Sequence, residues 1–129
     1  MNQFVWIDLG VKDLDRSVTF YQAVLDRKCQ IEEFDSFRFA VFEHQGNDVS
    51  GCLVPKADFQ PLNDSTLIYF NVDQRLAEAV KKVAEFGGKV LTPPHSIGPH
   101  GSRAIILDSE GNTIALHSTE VFNNETTQN

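Results

Sequence analysis

Four histidines and two cysteines carry most of the chemistry open to this 129-residue chain. His117 closes the stretch LDSEGNTIALHS, where an acid–Gly–Asn turn feeds a short apolar run. An imidazole there can serve as general base or acid, because its unperturbed pKa lies near neutrality. At the end of a strand it is equally a plain surface residue. His95 and His100 stand in PPHSIGPHG. Two histidines on one loop can clip a metal, but no third ligand stands nearby. The Pro/Gly composition reads better as a loop over the mouth of a pocket, where glycine lets backbone approach a ligand. His44 sits beside a turn and reads as exposed. Cys29 and Cys52 form no CxxC, are too few for a disulfide framework, and read as reduced, buried thiols. No Ser–His–Asp spacing, GxGxxG or phosphate loop is present.

These groups belong to an ordinary globular composition, 41% hydrophobic and 22% charged, long enough for one domain with a real core. Ten phenylalanines favour a packed, sheet-rich interior. The net charge of −7 repels a phosphate backbone and excludes nucleic acid as a partner. If that charge selects ligands, it selects cations. No apolar run reaches the length of a membrane span. The start, MNQFVWIDLG, has no basic segment ahead of an apolar one, so it is no signal peptide and a cytoplasmic location is expected.

The elements that position these residues follow from periodicity. FVWIDLGV reads as a strand, and Asp13 can cap the helix after it, with Leu14, Val18, Tyr21 and Leu25 on one face. Apolar runs near 29–34, 37–43 and 49–54 read as strands, the last two joined by a turn at Gly46-Asn47-Asp48. PKADFQPLNDS reads as a linker. TLIYFNV is then a strand, and Asp73 can cap a second helix. Leu76, Ala79, Val80, Val83 and Ala84 share that helix's inner face, and Gly87-Gly88 ends it. Strands follow near 89–91, 102–108 and 113–117, and the tail from 119 to 129 is polar and expected to fray. The final hairpin turns about Glu110, which sets Ile105 beside Ala115 and Arg103 beside His117.

The chain thus reads as one unit written twice: strand, helix, then three strands. Val11 matches Val72, with module 1 over about 1–55, a linker over about 56–65 and module 2 over about 66–118. The expected class is α+β, two βαβββ modules forming a curved mixed sheet around a pocket. Helices lie outside, and the hollow between the half-sheets is the natural binding site.

Three stretches, VKDLDRSVTFY, EFGGKVLTPP and DSEGNTIAL, taken in order and spacing, resemble the vicinal oxygen chelate superfamily of glyoxalases, bleomycin-resistance proteins and extradiol dioxygenases. The resemblance spans roughly residues 3 to 118, and is strongest to proteins described as related to lactoylglutathione lyase. It implies a homodimer of paired βαβββ modules and a divalent metal held by His and Glu on four strands. Carried over one by one, those four positions are Trp6, Cys52 (or Gly51), Leu67 and Ala115. Trp, Leu and Ala offer no donor, and one thiol cannot hold a metal alone. No metal and no other cofactor is therefore expected.

With those positions facing inward, strand alternation turns Asp8, Tyr69, Asn71 and His117 inward as well. The expected ligand-binding set is Trp6, Asp8, Cys52, Leu67, Tyr69, Arg103, Ala115 and His117, with His117 the candidate catalytic group. Trp6 is equally plain core, and Asp8 and Arg103 either form a structural ion pair or sit in solvent. Three functions follow. One is a lyase-like enzyme on a small metabolite, without the usual metal and with His117, Asp8 or Tyr69 as acid–base groups. Another is a bleomycin-resistance-like protein that sequesters a cationic drug, served by the acidic charge and by Trp6. The last is a regulatory or assembly module without a small ligand.

Overall fold

The computed structural model describes residues 1–121; most of the polar tail lies outside the described residues. Two residues after the first strand, β1 (Trp6–Val11), the Asp13 carboxylate accepts from Arg16 N at 3.1 Å and caps α1 (Leu14–Leu25). Leu14, Val18, Tyr21 and Leu25 are all buried on one face of that helix. Then come β2 (Cys29–Phe34), β3 (Phe37–Phe42) and β4 (Ser50–Pro55). The second unit repeats the order with β5 (Tyr69–Asn71), α2 (Leu76–Glu85), β6 (Lys89–Ser96), β7 (Ser102–Leu107) and β8 (Thr113–Ser118), a short 3-10 turn at Gly98–His100 linking β6 to β7.

Each unit makes its own four-stranded mixed sheet, ordered β1-β4-β3-β2 and β5-β8-β7-β6. In both, the first strand lies parallel to the last and the other pairings are antiparallel. The expected α+β architecture of two βαβββ modules is what forms. The last hairpin pairs Ile105 with Ala115 and Arg103 with His117, the register that a turn about Glu110 dictates.

Four local expectations are corrected. Asp73 does not cap α2, which starts at Leu76 with Arg75 at its N-cap and no side-chain cap. Asp73 instead accepts from Thr119 N at 2.6 Å and from the Ser118 and Thr119 hydroxyls. Residues 66–68 precede the short β5, although the Ile68 carbonyl still accepts from Ala115 N. β6 runs through Pro93 and Pro94 to Ser96, which an edge strand with register shifts tolerates because the outward N–H has no partner to lose. Ala84, expected on the inner face of α2, is exposed.

One apolar core unites the modules. α1 packs against α2, and Leu9, Val11, Ala40, Leu53, Val72, Ala104, Ile106, Ile114 and Leu116 point from both sheets into it. Tyr21 meets Phe42 and Phe70 at ring separations of 5.4 and 5.2 Å. The phenylalanines divide more than composition suggests: Phe20 is fully buried, whereas Phe4, Phe34 and Phe37 are exposed.

The DSEGN turn is a polar brace across the modules. Glu110 Oε1 accepts from the backbone N–H of Lys12 and Asp13 at 3.0 and 2.8 Å, and Oε2 pairs with Arg16 Nε at 2.8 Å. Asn112 Nδ2 donates to the Gly10 carbonyl, and Asn112 Oδ1 accepts from Leu62 N. Asp108 gathers Tyr21, Asn112 and the N–H of Glu110. Buried polar groups are inexpensive only when so paired.

Candidate functional site

Because the core takes alternate side chains of each strand, the others form a second, concave face. It carries every residue expected in the pocket on a strand: Trp6, Asp8, Cys52, Tyr69, Arg103, Ala115 and His117. A cleft of about 1100 Å³ opens between the inner edge strands β1 and β5, roofed by the linker from Lys56 to Gln60. Asp8, Leu67 and Tyr69 line it, with Ile7 and Ile68. The other expected residues flank it in two separate groups, and no hydrogen bond or ring contact among the described residues joins one group to the other.

The first group sits on module 1. Asp8 pairs across to Cys52 in the sheet, and the Cys52 thiol donates to Asp8 Oδ1 at 3.2 Å. Burial above all pushes the Cys52 thiol up; the Trp6 side chain opposes this and Asp8 reinforces it. Trp6 is 42% exposed rather than core, with His44 edge-on at 5.6 Å.

The second group sits on module 2. Arg103 donates through Nε to His95 Nε2 at 3.1 Å and through Nη1 to the Tyr69 hydroxyl. His95 Nδ1 meets the Pro93 carbonyl at 2.9 Å. A carbonyl can only accept, so Nδ1 carries the proton and Nε2 offers its lone pair to Arg103. His117 Nε2 donates to the His100 carbonyl at 2.6 Å, which leaves Nδ1 as the nitrogen able to take a proton. Its ring lies edge-on to Tyr69 at 6.1 Å. Ala115, expected on the floor, is fully buried.

Three expectations need restating against this geometry. Asp8 and Arg103 form no ion pair; the ion pairs among the described residues join Arg16 to Glu110 and Arg38 to Asp15. His95 is not a loop residue but a strand residue opposite Arg103, with both ring nitrogens engaged. It therefore offers His100 no free nitrogen for a shared metal. The set Trp6, Cys52, Leu67 and Ala115 does not fit a divalent ion, since one thiol cannot hold a metal alone and the rest have no donor. Among the described residues no three His, Cys, Asp or Glu side chains converge elsewhere. Sequence reasoning placed His95 in a loop because β6 reaches it only through Pro93, Pro94 and two register shifts, which a strand pattern read from the sequence does not show.

No helix among the described residues is long and apolar enough to cross a membrane.

Comparison with known proteins agrees with the duplicated βαβββ plan. CFP32 of Mycobacterium tuberculosis, a protein given a provisional glyoxylase name, is 29% identical over 108 residues, 83% of this chain. The chain spans only 40% of the length of that relative. A glyoxylase/bleomycin resistance protein/dioxygenase domain from Frankia superposes with a TM-score of 0.69 at 23% identity, over 92% of this chain and 98% of that one. A glyoxalase I variant from Zea mays superposes with a TM-score of 0.69 at 22% identity, over 89% of this chain and 46% of that one. At such identities the structures share a fold, while the family profile reaches further, matching residues 3–116. With that match running from the strand before α1 into the final hairpin, the chain belongs to the Glyoxalase/Bleomycin resistance protein/Dioxygenase superfamily.

Proposed function

We propose that this protein binds a small organic molecule in the cleft between β1 and β5 and does so without the divalent metal that the resemblance to the superfamily implies. The observation that carries this reading is the cleft itself. It holds about 1100 Å³ against an apolar wall of Ile7, Leu67 and Ile68, with Asp8 and Tyr69 as polar groups at its sides. Apolar lining with a few placed polar groups is what small-molecule sites require. Any acid–base step falls to His117 Nδ1, Tyr69 or Asp8. A homodimer fits the same reading, because a second copy would cover the exposed Trp6, Phe37 and Tyr69 of the concave faces.

A thermal-shift screen with thiol adducts, sugars and cationic antibiotics tests it, together with metal analysis of the purified protein. A compound that stabilises the protein by mass action, and fails to stabilise a Leu67→Trp variant that fills the cleft, supports the proposal. Zinc, nickel or iron retained at one ion per chain would overturn its metal-free part. A screen in which nothing binds would favour the assembly-module reading instead.

A further inference from the structure

The concave face of module 2 contains a cation held in place without being neutralised. The geometry points to Arg103 as the anchor for a carboxylate or comparable oxyanion on the ligand, with Tyr69 carrying that ligand's body into the cleft. This rests on the cleft being the binding site, and adds the chemical class of what binds there.

Arg103 is oriented by two neutral groups. His95 takes the Nε proton, and the Tyr69 hydroxyl takes one from Nη1. His95 is itself fixed as the Nδ1–H tautomer by the Pro93 carbonyl, so it can only accept from the guanidinium. Neither partner brings negative charge, and neither ion pair among the described residues includes Arg103. Of the five N–H donors of a guanidinium, two are used, which leaves three for a ligand, both on Nη2 among them. That is enough for the paired N–H···O bonds a carboxylate makes with arginine.

Tyr69 connects this anchor to the cleft. Its hydroxyl touches Arg103, its ring lies 5.9 Å from the guanidinium carbon, and the same residue lines the cavity. A ligand whose anionic end rests on Arg103 would lay an apolar or aromatic body along the Tyr69 ring towards Leu67 and Ile68. Asp8 stands on the opposite wall, on β1, with its Oδ1 already accepting from Cys52.

The net charge of −7 favours cationic ligands at long range. That field is spread over the surface and is screened beyond about 8 Å at physiological ionic strength. At contact distance the nearest charge decides; beside the Tyr69 hydroxyl that charge is Arg103, with Asp8 across the cleft on β1.

The test compares phenylacetate, the neutral phenylacetamide and the cationic phenethylamine, followed by two-dimensional NMR of the arginine Nε–H signals and by titration. Phenylacetate is expected to bind at least tenfold more tightly than either counterpart and to shift the Arg103 Nε–H signal. Arg103→Met should abolish that preference, while Arg103→Lys should retain part of it. The three-compound comparison needs no variant, so it stands even if Arg103→Met unfolds. Equal binding of acid and amide, tighter binding of the amine, or no binding of the acid at millimolar concentration would overturn the anion anchor. If the amide binds as well as the acid and Leu67→Trp removes both, the cleft survives and only the anchor falls. If the acid binds with an Arg103 shift but is indifferent to Leu67→Trp, the anchor survives and the cleft reading falls.

Discussion

The Tyr21 hydroxyl donates to Asp108 Oδ2 at 2.6 Å, both residues buried, one on α1 and the other at the end of β7. Burial, the largest influence, raises both pKa values; for Asp108 the donors from Tyr21 and Asn112 offset part of the rise. The bond is thus a neutral donor supporting a costly buried carboxyl. Tyr21→Phe keeps the ring packing on Phe42 and Phe70 but takes one donor from Asp108. It is expected to lower stability by about 1–3 kcal/mol. Urea unfolding of the two proteins checks this, and a loss well under 0.5 kcal/mol, roughly the lower end of a typical hydrogen bond, would contradict it.

Glu110 gives a pH prediction with a definite sign. Burial pushes its carboxyl up, but Arg16, the Asp13 N–H, Ser109 and the Lys12 N–H together outweigh burial and hold it below its ordinary 4.5. A carboxyl depressed on folding stabilises the protein above its unfolded pKa, and that contribution disappears as pH falls through the folded value. Asp108, raised on folding, works the other way: its stabilising effect lies on the acid side and fades as pH climbs from its ordinary 3.8. Glu110→Gln should therefore cost about 1.5–3 kcal/mol at neutral pH and flatten the loss of stability below pH 4.5. Denaturation curves at several pH values, wild type against variant, read both effects. Parallel pH profiles would count against the assignment.

Gly51 is packed too tightly against β1 to carry a side chain. A Cβ there would stand 2.3 Å from the Ile7 carbonyl oxygen, a backbone atom that moves only with its strand. Gly51→Ala should lower stability by about 1–3 kcal/mol or more and displace β1. Trp6, the only tryptophan, lies on that strand and reports the displacement through its emission. Unchanged emission with unchanged stability would rule the contact out.

How much of this was legible in the chain depended on whether a signal was local. The Asp13 cap, the α1 core face and the Arg103–His117 register all follow from neighbours in sequence, and all formed. Asp73 failed as a cap because Gln74, at φ +65°, and Arg75 separate it from the helix, freeing its carboxylate for Thr119. Glu110 looked like a turn residue, yet it accepts from the N–H groups of Lys12 and Asp13, 98 and 97 residues earlier, just ahead of α1, and nothing local announces those partners. Alternation along the strands was legible, and it put the expected side chains on one face. It was not legible that the face divides into an Asp8–Cys52 group and an Arg103–Tyr69–His95 group, since that depends on how the two sheets meet.

The apolar cluster that unites the core lies on the helix side of the sheets, where Tyr21, Asp108, Glu110 and Asn112 brace it. Trp6 and Tyr69 on the opposite surface are exposed, and Trp6, Tyr69, Arg103 and His117 take no part in that core, so exchanging any of the four should change stability by much less than a core substitution does. Such a scaffold can accumulate substitutions on that face over generations without passing through an unfolded ancestor.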